Sequence, residues 1–298
     1  MFRLIRKIAT SVTMAEDQTH IRFRVREHES RTMHVAFWRK NPPETTIIYR
    51  SDKCCGHLVV FVHGFNGSAC STWSQFPERT LDNPVFRDVD VVFYGYDGIR
   101  RQAQDSGDEF YRFVNRLILH PLDGILENVL PLLERSTSFS YKRITFVAHS
   151  LGAVVTRIAL LDAYQENRPW LAKSELVLYA PAHMGSRIRK LAAEALIGIP
   201  YVAGVGAIAA GWFKILNDLE EESQLLKLLR EQTLEAEKKT PQLRAKAVVV
   251  SKADDVVINT RFPNDPVSDH IDSATHITIC KPRAGFLGPA QFLYANLR

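Results

Sequence analysis

Apolar and polar positions alternate with two different periods along this chain. Ile21-Arg22-Phe23-Arg24-Val25-Arg26 switches between apolar and basic at every residue, and Met33 to Trp38 follows after Glu29-Ser30-Arg31-Thr32. A period of two sends alternate side chains to opposite faces of a sheet, so this stretch predicts an antiparallel hairpin at a sheet edge. Thr45 to Tyr49 supplies a further short strand. From Gly56 onward, strand-like apolar runs near 58–62, 90–95, 143–148, 175–179 and 246–251 alternate with helical segments near 106–119, 122–134, 151–164, 216–238 and 287–296. That alternation is what a mostly parallel central sheet with helices on both faces requires. No internal repeat or low-complexity segment interrupts it. A length of 298 residues fits one large α/β domain. The expected organisation is a flexible N-terminal arm over 1–19 and a single domain over 20–298 that carries a cap or lid insertion at about 187–240.

The run Ile144 to Gly152 carries the most chemistry. A strand of β-formers ends in Ala148-His149-Ser150-Leu151-Gly152, and a helical pattern starts at once. A serine there sits on a sharp strand-to-helix turn with its hydroxyl pushed out above the sheet, as in the nucleophile elbow of α/β-hydrolases. Ala148 and Gly152 are small, as the turn needs; the more usual form has glycine at both positions. The following helix aims its N-terminal N–H groups at charge developing near the serine. The plainer alternative is a Ser150 that merely caps the helix. Upstream, Leu58 to Val62 is another apolar strand, ending in His63-Gly64-Phe65-Asn66-Gly67. His63 is read as a packed loop histidine that orders this turn, and the His149 side chain is expected to pack away from the site.

A serine nucleophile needs a base, and the base an orienting acid. In an α/β-hydrolase both follow the serine in the chain, acid first. Ala245 to Ser251 is an apolar strand that runs into Asp254-Asp255-Val256-Val257. Asp254 is preferred as acid for its Asp-x-Val-Val shape, with Asp255 as alternative. No carboxylate occurs between Ala180 and Ala193, which closes the position after the preceding strand. Two histidines lie downstream, His270 in Ser268-Asp269-His270 and His276 in Ala274-Thr275-His276-Ile277. His276 is preferred as base.

These motifs resemble a family. Val62 to Gly67, Phe93-Tyr94-Gly95-Tyr96-Asp97, Ala148 to Gly152, and His276 with Ile279-Cys280-Lys281-Pro282 are similar to the lipase-like serine esterases. More narrowly they resemble the serine-active-site-containing group related to GPI-inositol-deacylase-like lipases, over roughly residues 56 to 298. The resemblance implies an α/β-hydrolase fold with a cap after its sixth strand, no cofactor, and hydrolysis or transfer of acyl groups, often on lipids. By position it implies Ser150 as nucleophile, His276 as base, Asp254 as acid, and the backbone N–H groups of Phe65 and Leu151 as oxyanion donors.

Beyond the strand at 175–179, Pro181 to Ser186 resembles the Pro…Gly-Ser turn that lipases carry beside the pocket. Ala195 to Phe213 is then a nineteen-residue run without charge. Its length would span a bilayer. Its glycines and Pro200 break a soluble helix, and a span there would separate Ser150 from Asp254 and His276. A buried roof over an acyl pocket is the better expectation, and a membrane-touching lid is the intermediate one. Leu216 to Lys239 then reads as a cap helix, its apolar stripe running from Ile215 through Leu219, Leu225, Leu226, Leu228 and Leu229.

Composition refines this reading without redirecting it. Hydrophobic residues make up 46% of the chain, enough for a substantial core. The net charge of +5 comes from scattered basic residues without interleaved aromatics, so a merely basic surface is expected rather than a nucleic-acid site. Cys54, Cys55, Cys70 and Cys280 lack zinc-type spacing, and four reduced thiols suit a cytoplasmic protein. No metal, nucleotide loop or haem ligand is suggested. The expected partner is a small-molecule or lipid ester, with peripheral membrane contact as the variant. Met1 to Met14 is basic, hydroxyl-bearing and acid-poor like a mitochondrial presequence, yet brief; a plain arm is preferred, and a secretory signal is not expected. Two other readings stay open: a thioesterase or amidase using the same residues, and a non-catalytic hydrolase scaffold for lipid or protein binding.

Overall fold

The computed structural model describes residues 22–28, 31–38, 44–51, 53–119, 139–187, 215–258 and 260–298. Its strands are β1 (Arg22–His28), β2 (Arg31–Trp38), β3 (Thr46–Ser51), β4 (His57–Val62), β5 (Val89–Tyr94), β6 (Arg143–His149), β7 (Ser174–Tyr179), β8 (Ala245–Val250) and β9 (Asp269–His270). The helices that position the site are α1 (Phe76–Asp82), α2 (Ala103–Leu119), α3 (Leu151–Gln165), α4 (Gln224–Glu237) and α5 (Gly288–Asn296). The nine strands form one sheet in the order β1-β2-β3-β5-β4-β6-β7-β8-β9. β1, β2 and β3 pair antiparallel, and β3 meets β5 antiparallel. Every later pairing is parallel. The period-two segment is thus an edge hairpin, and the apolar runs are the parallel strands.

The reason is burial. All six residues of β4 are buried, with β5 on one side and β6 on the other. Such a strand has no solvent face, so its sequence, His-Leu-Val-Val-Phe-Val, is apolar almost throughout. The strand order reverses at β4: β5 lies on one flank and the next strand, β6, on the other. At such a reversal the loops leaving the carboxyl ends of adjacent strands diverge and leave a crevice. The two segments that open there are His63–Gly67 and the turn at Ser150.

α3 is buried along most of its length, from Leu151 to Ala163. It is clamped between the sheet and two other helices, α2 and α4. The α2 contact is close because of Gly107: a Cβ there would lie 2.4 Å from Ile158 Cγ2.

The expected helix over 216–238 is interrupted. Residues 215–218 make one helical turn, and α4 begins only at Gln224, where the Ser223 hydroxyl accepts the Leu226 N–H. Between them the Leu219 carbonyl accepts the N–H and hydroxyl of Ser186, and Glu222 adopts a left-handed φ of 65°. Backbone groups engaged by the Ser186 turn are not free to continue a helix. α4 packs Leu226 and Leu229 inward toward α3 and leaves Leu228 exposed, so it covers α3. The long insertion falls between β7 and β8, after the seventh strand in chain order. The arm at 1–19, the helix expected at 122–134 and the run Ala195 to Phe213 lie outside the described residues. α1, three short 3-10 turns and the two-residue β9 have no counterpart in the periodic pattern.

Candidate active site

Ser150 leaves β6 with φ 53° and ψ −121°, a conformation costly for a residue with a Cβ. The surroundings over-determine it. The Ser150 N–H donates to the Tyr179 carbonyl, and the Ser150 carbonyl accepts from Ala153 and Ala182. Gly152 shows why the turn needs a small residue: a Cβ there would meet the Val62 and His63 carbonyl oxygens at 2.3 and 2.4 Å. Those oxygens belong to backbone and cannot yield. The loop after β4 packs equally closely, since a Cβ on Gly64 would come within 2.9 Å of Ser150 Cβ. Gly64, which precedes Phe65, and Leu151, at the start of α3, are thus both next to the serine.

The candidate base and acid come from loops distant in sequence. His276 Nε2 lies 2.9 Å from Ser150 Oγ, and His276 Nδ1 lies 2.9 Å from Asp254 Oδ2. The other Asp254 oxygen accepts the Val256 and Val257 N–H groups at 2.9 and 3.3 Å. Burial alone would push this carboxyl up; the His276 hydrogen bond and charge and the two backbone N–H groups outweigh it and hold Asp254 below its ordinary range. An ionised Asp254 fixes a proton on His276 Nδ1 and leaves Nε2 free to accept the serine proton. Asp255 and His270 are exposed, and neither takes part in these hydrogen bonds. Farther along the loop that carries Asp254, Asp265 pairs with Arg157 of α3 and accepts the Ala245 N–H, which ties that loop to α3.

Two histidines frame the site without titrating near neutral pH. His63 donates from Nδ1 to the Gly64 carbonyl and accepts the Tyr96 N–H at Nε2. Its ring stacks on Tyr96, whose hydroxyl donates to the His63 carbonyl. Burial lowers the His63 pKa to about 4. It is the packed turn histidine expected from the sequence, and Tyr96 is its buttress. His149 departs from expectation. Its side chain does not pack away from the site: Nε2 lies 2.9 Å from the His276 carbonyl, and the two rings are 5.0 Å apart. Strand periodicity told only that His149 and Ser150 diverge; the loop that fills the space beside His149 arrives from 127 residues later. Among the described residues no His, Cys, Asp and Glu gather as a metal-ligand group, and no helix is long and apolar enough to cross a membrane.

Comparison with known proteins supplies a class. Residues 53–199 match the family model described as "Putative serine esterase (DUF676)". No curated protein matches the sequence significantly. Among solved structures, the mature form of the lipase BlEst2 from Bacillus licheniformis is similar at 18% identity, over 85% of this chain and 99% of that one, with a TM-score of 0.52. The peroxisomal α/β-hydrolase Lpx1 from Saccharomyces cerevisiae matches at 9% identity over 97% of this chain and 85% of that one, with a TM-score of 0.49. The carboxylesterase CesB from Bacillus subtilis matches at 12% identity over 88% and 91%, with a TM-score of 0.46. The fold likeness is drawn from BlEst2 alone. The family match adds to that fold a similarity in chemical class: residues 53–199, just under half of the chain, are similar to the serine esterases, and the fold is the α/β-hydrolase fold.

Proposed function

We propose that the protein hydrolyses carboxylic esters through an acyl-enzyme, with Ser150 as nucleophile, His276 as general base and Asp254 as the acid that orients it. The observation that carries this reading is the unbroken line of hydrogen bonds from Ser150 Oγ through both His276 nitrogens to Asp254. His276 takes the serine proton as Oγ attacks the ester carbonyl. The backbone N–H groups of Phe65 and Leu151 hold the resulting oxyanion, a contribution of ~3 kcal/mol per donor. His276 then protonates the departing alcohol, and water repeats the sequence on the acyl-enzyme.

An acyl ester or lipid is the substrate class favoured by the uncharged run Ala195 to Phe213, read as a lining over Ser150. The domain is read as continuous from residue 20, with the cap drawn from 187–240. A fluorophosphonate probe should label the wild type and fail to label a folded Ser150→Ala variant; labelling that persists in Ser150→Ala overturns the nucleophile. A p-nitrophenyl ester series then tests the acyl chain. Each buried methylene contributes ~0.8 kcal/mol, so kcat/KM should rise about fourfold per methylene up to the pocket's end. Equal turnover of acetate and octanoate would remove the acyl pocket, and faster cleavage of matched thioesters or anilides would move the enzyme to those bonds.

A further inference from the structure

We infer that His149 is a positioning residue for the base, holding the main chain of His276 so that its imidazole meets Ser150; this rests on the esterase reading above. His276 lies in no strand or helix. Its loop is held locally by turns, with the Ile279 N–H on the Thr275 carbonyl and the Ser251 hydroxyl on the Ala274 carbonyl. The His276 carbonyl itself is taken by the imidazole of His149 at 2.9 Å. A carbonyl accepts only, so His149 carries its proton on Nε2. Nδ1 is then a bare acceptor, buried and without a hydrogen-bond partner among the described residues.

That Nδ1 lies against the oxyanion loop, 3.0 Å from where a Cβ on Gly64 would be. One neutral ring thus fills the space between the base loop and the loop after β4, and it is attached to β6 beside the nucleophile. The sheet supplies the rigid reference, and His149 passes it to a base that has no regular structure of its own. Neutrality matters, because His276 becomes cationic in the transition state only 5.0 Å away. Burial, then the charge of His276, lower the His149 pKa to about 3, which keeps the ring neutral through that step.

The test compares three variants of the full chain. Glutamine places an amide N–H about where Nε2 stands; asparagine has the amide but is too short to reach; leucine fills the space without a donor. His149→Asn and His149→Leu should lower kcat by about 100-fold, the loss expected for a base displaced by about 1 Å, with KM unchanged. His149→Gln should recover most of that loss. Folded fraction is read separately by near-ultraviolet circular dichroism, and rates are expressed per folded molecule. If His149→Leu unfolds, the comparison of His149→Asn with His149→Gln still decides. A kcat within twofold of wild type for folded His149→Asn overturns the inference, as does equal loss in His149→Gln and His149→Asn. Failure of the wild type to react with fluorophosphonate would instead strike the esterase reading itself.

Discussion

His270 and His276 are both loop histidines downstream of β8, and only their surroundings separate them. His276 is buried between Ser150 and Asp254, whereas His270 faces solvent on the short edge strand β9. His276→Ala and Asp254→Asn should therefore each lower kcat by up to ~10⁴, the latter because an amide no longer fixes the imidazole tautomer. His270→Ala and Asp255→Asn should stay within a few-fold of wild type. Steady-state kinetics on one ester checks all four, and a large loss at His270 with none at His276 would reverse the assignment. The sharp turn at Ser150 and Gly152 was readable in advance because it is local: strand, turn and helix are contiguous in the chain. His149 was not, since its partner approaches through tertiary structure.

At the scale of elements, the α2–α3 contact shows one residue deciding how two helices pack. Alanine is favoured over glycine inside a helix by about 1 kcal/mol. At position 107 its Cβ would lie 2.4 and 2.6 Å from Ile158 Cγ2 and Cβ, and the latter cannot swing aside. Overpacking of this kind costs about 1–3 kcal/mol, so steric conflict outweighs propensity. Gly107→Ala should lower the urea midpoint with an unchanged m-value. An increased midpoint would show that the helices separate freely. The interrupted segment at 215–223 carries the complementary lesson. Its leucines recur at helical spacing, but Ser186 claims the Leu219 carbonyl from a strand connection some thirty residues earlier. Periodicity records which face is apolar and is blind to a hydrogen bond made across that distance.

At the scale of the whole molecule, buried neutral histidines set the response to acid. Burial lowers His57 and His63 to about 4 and His149 to about 3, and with the Arg157 charge it holds His183 well below its ordinary value. In the unfolded chain these groups take up protons near pH 6.5. Between pH 6.5 and 4 the unfolded state therefore binds more protons, and stability falls as pH falls through that window. Above pH 6.5 their contribution is complete. At pH 5 each of the first three costs about 2 kcal/mol, together comparable with the 5–15 kcal/mol that holds an ordinary domain folded. The depressed carboxyl of Asp254 acts in a lower window, as pH falls below the ordinary aspartate value, and leaves this one unaffected. Tm should drop steeply between pH 6.5 and 5, and His57→Gln, which keeps a partner for Thr145, should make the drop shallower. A Tm that is flat across this range would contradict the buried neutral state.

By itself the sequence determined the parallel sheet, the edge hairpin, the elbow at Ser150 and the short set of residues able to serve as acid and base. Each of these is written in neighbouring residues: apolar runs where both strand faces are covered, period-two alternation along the edge hairpin, small side chains where backbones touch at Gly152. Tertiary structure alone decided which histidine meets the serine, which aspartate meets that histidine, where the helix after Ser186 begins, and that His149 meets the His276 carbonyl. Those outcomes depend on which loops the strand order brings to the crevice beside β4, and hydrophobic periodicity carries no information about distances between segments a hundred residues apart.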